Sequence, residues 1–163
     1  MKHLQSPWRS AYIATFADEP RGGECLFCRI RRERDDVRNL VAWRGRTCFV
    51  VLNRFPYNSG HVLIVPNRHT ASFETLRPSE LAEMTAAVQR VMRTLGRLEK
   101  PHGYNLGANL GRVAGAGIDQ HLHLHLVPRW NGDTNFMPVI ANTNVVPEAL
   151  RETAAKLRTE LAR

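Results

Sequence analysis

The spacing of apolar and polar positions predicts five short strands. Apolar and β-branched segments at 40–43 and 47–52 flank Arg44-Gly45-Arg46, which predicts a hairpin. The run HVLIVP at 61–66 predicts a third strand that its proline ends. Residues 104–110 and 121–128 predict a fourth and a fifth strand, and the loops at 53–60 and 111–117 are rich in turn residues.

Two helices complete the predicted order of elements. Pro78-Ser79-Glu80 opens a helix that we expect to extend to residue 100, and a second helix is expected after Pro147. Their apolar faces are Leu81, Met84, Val88, Val91, Leu95 and Leu98 in the first, and Leu150, Ala154, Leu157 and Leu161 in the second. The order predicts an α+β fold with an antiparallel sheet of about five strands, one long helix and one C-terminal helix. We expect residues 24–163 to form a single domain and residues 1–23 to form an N-terminal extension packed on it.

The fifth strand carries three histidines at alternate positions, His121, His123 and His125, separated by leucines. Alternate side chains of a strand point to the same face, so the imidazoles share one face while the leucines can be buried on the other. A metal site made of all three is disfavoured, because they span about 13 Å along a flat strand. Acid–base or nucleophilic chemistry on this face is the better interpretation.

Composition narrows the class of protein. The 163 residues carry 23 Lys+Arg against 15 Asp+Glu, a net charge of +8 that favours polyanionic partners such as nucleotides. The basic residues are scattered, and we interpret their one dense run, at 29–34, as a solvated loop, so nucleic acid is not the expected partner. No apolar run is long enough to span a membrane, and the basic N-terminus lacks the apolar region of a secretory signal, so we expect a cytoplasmic protein.

The histidine segment QHLHLHLVPR, at 120–129, has the pattern His-φ-His-φ-His-φ-φ, where φ is apolar. This pattern resembles the histidine triad (HIT) family of nucleotide hydrolases and transferases. CLFCRI at 25–30, Leu52-Asn53-Arg54 and the Gly-His-φ-Leu-φ-φ-Pro strand ending at Pro66 are similar to other segments of that family, in the same order. The resemblance covers about residues 24–129 and implies the HIT-like fold.

The resemblance also implies displacement at the α-phosphorus of a nucleotide. A neutral imidazole is a capable nucleophile at pH 7, and a phosphoryl-imidazole is reactive enough to be cleaved again. By the motif, His123 attacks and forms a nucleotidyl-histidine intermediate, while His125 stabilises charge on a phosphate or bridging oxygen.

The predicted nucleotide contacts follow from the same resemblance. Asn53 stands where the family has a residue on the ribose hydroxyls, and the glycine-rich loop can bring backbone N–H groups close to phosphate. Four positions before the first histidine the family usually has Gln or Ser, and this chain has Gly117, so a backbone donor, Asn109 or Arg112 must supply that contact. The predicted nucleotide-binding residues are Phe27, Ile30, Leu52, Asn53, Asn109, Gly115, Gly117 and Trp130.

Cys25 and Cys28 form a C-x-x-C, which taken alone fits either a redox motif or half of a zinc site. Three cysteines do not form the disulfide framework of a secreted domain. Some family members bind structural zinc through such a pair and two histidines. The resemblance implies that the histidines here are His69, of the Pro-x-x-His after the third strand, and His121.

A segment beyond the triad indicates the branch of the family. PRWNGDTNF, at 128–136, resembles the bacterial diadenosine tetraphosphate phosphorylase branch, as does the segment at 4–12. Trp130 either stacks on a base or closes the pocket, or it is a plain interface tryptophan. We therefore expect an enzyme that cleaves diadenosine polyphosphates with water or phosphate as acceptor. The alternatives are a purine nucleoside phosphoramidase and a catalytically weak nucleotide- or nucleic-acid-binding module. The apolar helix and the open sheet edge predict a homodimer.

Overall fold

The structure, a computed structural model, describes residues 23–133 and 149–163. One five-stranded antiparallel sheet has the strand order β1-β2-β3-β5-β4, and its helices cover both faces. The elements in chain order are α1 (Leu26–Glu33), β1 (Val41–Arg44), β2 (Cys48–Leu52), β3 (Val62–Pro66), α2 (Pro78–Leu98), β4 (Gly103–Gly107), a 3-10 turn (Arg112–Ala114), β5 (Leu124–Arg129) and α3 (Leu150–Leu161).

The predicted α+β architecture is confirmed, including the five strands, the long helix and the C-terminal helix. The long helix starts where Pro78 predicts, and the Glu80 carboxylate accepts a hydrogen bond from the Arg77 backbone N–H in a capping box. The last helix begins at Leu150, after Pro147 as predicted, with Ala149 as its N-cap. The N-terminal extension lies outside the described residues, so the proposed domain division stays a prediction. In the described ranges, no helix combines the length and apolarity that crossing a membrane requires.

Alternation along the strands separates two faces of the sheet. Val50 and Leu52 pack on one face with α2 and α3, which we call the helical face. Phe49 and Val51 pack on the opposite face with α1, which we call the site face. The strand residues are buried on both sides, so β2 and β3 are apolar throughout their length.

The expectation of a solvated loop at 29–34 is wrong, because most of that segment belongs to α1. Phe27 and Ile30 lie three positions apart and are both buried on the site face, which fixes the helix on the sheet. Arg29, Arg31 and Arg32 remain exposed on its outer side. The basic composition obscured a short helix whose apolar face is only one turn long.

The histidine strand begins later than predicted. β5 starts at Leu124, and its ladder with β3 ends at the pair Ile64 and Leu124. Pro66 has no N–H with which to continue the ladder. Its carbonyl oxygen instead accepts a hydrogen bond from the His121 ring at 2.9 Å, and the Leu122 N–H donates to the Thr70 carbonyl. The first two histidines of the triad are therefore held by side-chain and loop contacts rather than by the sheet.

Candidate active site and metal centre

Five rings form a continuous row across the site face. Their order is Phe27, His123, His125, His61 and Tyr57, and successive ring centroids are 5.2, 5.0, 5.2 and 5.0 Å apart. We call this set the aromatic row. It begins in the core beneath α1, crosses two of the triad histidines, and ends in the loop between β2 and β3. The row brings together segments far apart in sequence, so these side chains hold each other in position.

The hydrogen bonds of His123 fix which nitrogen carries its proton. Its Nδ1 lies 2.9 Å from the carbonyl oxygen of His121. A carbonyl oxygen only accepts, so Nδ1–H is the donor and Nε2 keeps its lone pair in the neutral ring. The ring is 6% exposed, and Phe27 packs against it. His123 therefore presents a neutral, oriented imidazole whose Nε2 is unprotonated.

The same argument applies to His61 and His125. The Tyr57 backbone N–H donates to His61 Nδ1 at 3.1 Å, so the proton of neutral His61 is on Nε2. His61 Nε2 then donates to His125 Nδ1 at 3.0 Å. His125 consequently carries its own proton on Nε2 when neutral. The two neighbouring imidazoles thus differ in the state of Nε2, which is an unprotonated lone pair in His123 and an N–H donor in neutral His125.

Burial favours the neutral form of His61, His121 and His123 by lowering the pKa of each. It lowers the pKa of His61 to about 3, and the neighbouring His125 and His123 lower it further in the same direction. Burial also lowers the pKa of His123, against the opposing effect of its hydrogen bond to the His121 carbonyl. The pKa of His121 falls to about 4 for the same leading reason. The pKa of each of these three histidines is therefore lowered away from neutral pH.

Cys25, Cys28, His69 and His121 converge, as the resemblance implies, with ligand atoms all within 4.8 Å of one another. Cys25 Sγ lies 3.3 Å from His121 Nδ1, and Cys28 Sγ lies 3.4 Å from His69 Nδ1. Because His121 donates its Nε2–H to the Pro66 carbonyl, its Nδ1 lone pair faces the sulfurs.

The donor set fits Zn²⁺ in kind and in number. Two thiolates and two imidazoles are the ligands of a closed tetrahedral zinc site. Cys25 caps the N-terminus of α1 and Cys28 lies in its first turn, where the positive end of the helix dipole favours thiolates. Burial, and then the adjacent Cys25, raise the pKa of Cys28, so a bound cation would offset the repulsion between the two sulfurs.

The predicted nucleotide-binding residues do not all reach this face. Phe27 and Ile30 are buried on it, with the Phe27 ring edge-on to His121 at 5.3 Å. Asn53 is buried, and its Nδ2 lies 3.4 Å from His61 Nδ1. Leu52 packs on the helical face, so the structure does not bring it to the triad.

The glycine-rich loop precedes the triad. Asn109 Nδ2 donates to the Gly115 carbonyl at 3.2 Å, which closes the loop. Gly115 has φ 87°, a left-handed conformation that favours glycine. Gly117 lies in a half-buried bend two residues later. The N–H groups of Ala114, Gly115 and Ala116 donate to carbonyls within this turn, so a backbone donor to phosphate would come from other residues of the loop.

A polar clamp joins the end of β5 to the loop between β2 and β3. Arg129 forms a bidentate ion pair with Asp133, which also accepts a hydrogen bond from Asn58 Nδ2 at 2.7 Å. The Trp130 indole N–H donates to the Glu99 carbonyl at 3.2 Å. The indole nitrogen therefore fastens this turn to the end of α2, and stacking on a base stays a prediction for the ring.

His61 and Tyr57 were missed as site residues by the sequence reasoning. His61 is the histidine of the Gly-His-φ-Leu-φ-φ-Pro strand, so a fourth histidine in a chain with a triad was an available indication. Nothing in the sequence alone indicates that Tyr57 stacks on it, because this contact depends on the course of a loop.

Comparison with known proteins places the chain in a family. Residues 37–132 match the HIT domain. A Mycobacterium tuberculosis protein named AP-4-A phosphorylase is 44% identical over 128 residues, which are 78% of this chain and 66% of that protein. An uncharacterized HIT-like protein of Methanocaldococcus jannaschii is 32% identical over 129 residues, covering 78% of this chain and 97% of that one.

Solved structures with a similar fold include a histidine triad protein. The crystal structure of a zinc-bound histidine triad family protein from Mycobacterium smegmatis superposes with a TM-score of 0.68 at 28% identity, covering 85% of this chain and 94% of that one. The chain belongs to the HIT family. It spans slightly less than two thirds of the length of the curated phosphorylase relatives that it matches.

Proposed function

We propose that the protein cleaves the phosphoanhydride of a nucleotide, most specifically of a diadenosine polyphosphate, through a nucleotidyl-His123 intermediate. The observation that carries this proposal is the opposite arrangement of protons on His123 and His125. An unprotonated Nε2 next to an N–H donor is what attack at phosphorus beside a leaving oxygen requires. The similarity to the mycobacterial AP-4-A phosphorylase supports the same substrate class.

The reaction proceeds in two displacements. In the first, His123 Nε2 forms a P–N bond with the α-phosphorus while the bridging P–O bond breaks and its electron pair leaves on the departing nucleotide. The His125 Nε2–H donates a hydrogen bond to the bridging oxygen as its negative charge grows. In the second, water or inorganic phosphate attacks the same phosphorus, the P–N bond breaks, and the electron pair returns to His123. The acceptor's proton passes to solvent.

The nucleotide contacts follow the prediction with one change. Asn53 contacts the ribose hydroxyls, Phe27 and Ile30 support the base side of the triad, and Asn109, Gly115 and Gly117 form the phosphate loop. Trp130, at the end of β5, is the remaining proposed nucleotide contact. We omit Leu52, whose side chain packs on the opposite face of the sheet.

We further propose that Cys25, Cys28, His69 and His121 hold one structural zinc ion. When bound, the ion would cross-link α1, the segment after β3 and the start of the triad, without taking part in the chemistry. His121 links the two functions, because its ring is a proposed ligand and its carbonyl oxygen accepts the proton of the nucleophile. Zinc would thereby hold His123 in its reactive orientation.

A homodimer and a cytoplasmic location complete the proposal. β4 is an edge strand, and Leu106 on it is 56% exposed, while Leu110 and Val113 beyond it are exposed as well. Pairing of two β4 strands about a two-fold axis would cover this edge. Light scattering should give twice the 18.5 kDa of one chain, and a monomer at micromolar concentration would contradict the dimer.

Product analysis tests the central proposal. Attack at an α-phosphorus of diadenosine tetraphosphate releases ATP, and the adenylyl group then becomes ADP with phosphate as acceptor or AMP with water. Mass spectrometry of the products with and without phosphate separates a phosphorylase from a hydrolase. A phosphoramidate that is cleaved while diadenosine tetraphosphate is untouched would favour the phosphoramidase alternative. Binding without any adenylylated His123 would favour a binding module.

A further inference from the structure

The aromatic row ends at a ring that the proposed chemistry does not use. Tyr57 stacks on His61 with a centroid distance of 5.0 Å and an interplanar angle of 18°. The residue is nevertheless 45% exposed. His61 covers one face of the ring, so the opposite face and the edge are the parts of the ring that a ligand can reach. A flat aromatic surface is therefore presented to solvent next to the reactive histidines.

The loop that carries Tyr57 is fixed on both sides of the ring. The Tyr57 N–H donates to His61 Nδ1, and the His61 N–H donates to the Asn58 carbonyl. The Asn58 side chain donates to the Pro128 carbonyl at 3.2 Å and to Asp133. An aromatic ring held in this way loses little conformational freedom when a ligand stacks on it.

Tyr57 also lies at a defined end of the site. Its ring centroid is 6.4 Å from that of His125, the residue proposed to face the leaving oxygen. Phe27 lies at the other end of the aromatic row, beyond His123, where only the base of the transferred adenylyl group is proposed to bind. The exposed ring is thus on the leaving-group side, and the same loop carries the exposed cation Arg54, whose charge suits a polyphosphate.

We propose that Tyr57 is a stacking platform for the nucleobase of the leaving nucleotide. This inference rests on the proposed function and extends it, because it gives the site a preference for two nucleosides joined by a polyphosphate over a nucleoside polyphosphate alone. Stacking on an aromatic ring accepts any base, since every base has a π face. The site would therefore favour ligands that carry a second nucleoside, without distinguishing which base that nucleoside has.

The test compares diadenosine tetraphosphate with adenosine tetraphosphate, which lacks the second nucleoside and carries one additional negative charge on its terminal phosphate. The charge difference is the same for every variant, so the change of the affinity ratio on substitution of Tyr57 reports the base contact. Dissociation constants are measured by calorimetry in a His123→Ala background, where the ligand is not consumed, and KM is measured in the otherwise native protein. Each measurement is repeated with Tyr57→Leu, which keeps an apolar side chain without a π face, and with Tyr57→Phe and Tyr57→Trp as aromatic controls.

We expect the dinucleotide to bind about 10-fold more tightly than the mononucleotide, and Tyr57→Leu to reduce this ratio to near one in both Kd and KM. Tyr57→Phe and Tyr57→Trp should keep it. Substitution of Tyr57 also removes the contact of the ring with His61, which would lower affinity or rate for both ligands alike. This common loss cancels in the ratio of the two dissociation constants or of the two KM values.

An unchanged ratio in Tyr57→Leu, or no preference for the dinucleotide in the native protein, would overturn the subsite. Preferential binding that Tyr57→Leu abolishes, without cleavage of either ligand by the native protein, would support the subsite while refuting the proposed function.

Discussion

The two faces of the sheet divide stability and chemistry between them. Among the described residues, the helical face holds 18 buried hydrophobic side chains in one cluster with α2 and α3, whereas the site face holds seven. The seven lie beneath α1 and beside the aromatic row, so polar rings complete the packing that apolar side chains provide on the other face. The site face is therefore the thinner core and the one whose polar groups must be satisfied by specific partners.

β5 contributes side chains to both faces of the sheet and shows how the two faces depend on each other. Leu124 and Leu126 pack into the helical face, while His125 between them joins the aromatic row. The site face is held rigid by leucines on the reverse side of the same strand. Substitutions on the two faces should consequently affect different measurements, which the following predictions test.

The largest effect is expected for His123→Ala on turnover. Removal of the nucleophile should lower kcat by at least about 1,000-fold, because the covalent step is lost, while the nucleotide remains able to bind. Steady-state kinetics and AMP titration measure the two quantities. His102→Ala is the matched control, since His102 is an exposed histidine that accepts a hydrogen bond from the Asn131 N–H and should retain activity. Retention of more than a few per cent of the rate in His123→Ala would remove the residue from this role.

Metal removal should have the next largest effect, and it acts on the site face as a whole. Protein purified without added zinc should contain about one ion per chain by elemental analysis. At a free zinc concentration 1,000 times Kd, binding stabilises the native state by about 4 kcal/mol. Cys25→Ser should abolish most of this stabilisation by zinc and lower Tm. Cys48→Ser, at a buried cysteine of the helical face, should leave the metal content unchanged. A native protein that is metal-free and equally stable would contradict the zinc site.

The sequence predicted the outline of both faces, for physical reasons that differ. Strand alternation and the apolar stripe of α2 predict the helical face, because each element contributes a periodic pattern that can be counted locally. The site face depends on contacts between distant segments. The meeting of Cys25, His69 and His121 was implied by a family resemblance, and no local pattern predicts it.

The wrong predictions also concern the site face, where contacts between distant segments decide the structure. The arginine run at 29–34 indicates a loop although most of it lies in α1, because the buried face of that helix consists of Phe27 and Ile30 alone. The start of β5 was placed three residues early because alternation continues through His121, although Pro66 cannot extend the ladder to it. The pairing of His61 with His125 depends on strand register, since Leu63 and not His61 is opposite His125 in the ladder.

On the helical face, Leu126→Ala should lower stability without altering the chemistry. Leu126 is fully buried, and its truncation should cost about 3 kcal/mol in unfolding free energy through lost burial and the cavity that remains. Urea unfolding measures this loss. Val37→Ala, at a site 64% exposed, should change stability by less than about 0.5 kcal/mol. If Leu126→Ala abolished turnover at a temperature where it is folded, the two faces would not be separable in this way.

The smallest effect is a dependence of stability on pH that comes from His61. Its pKa is about 3 in the native protein, against an ordinary value of 6.5, because it is buried beside His125 and His123. Between these two values the unfolded chain binds the proton and the native ring does not, so stability falls as pH is lowered from 6.5 towards 3. At pH 5 the loss of unfolding free energy from this one residue amounts to about 2 kcal/mol.

Urea unfolding of the native protein and of His61→Gln at pH 7.5 and pH 5 isolates the contribution of His61, since the other histidines are common to both proteins. His61→Gln should be less stable at pH 7.5 and lose about 2 kcal/mol less on acidification. Equal losses in the two proteins would mean that His61 is protonated or exposed in the native state, and the assignment of a donor N–H to His125 would fail with it.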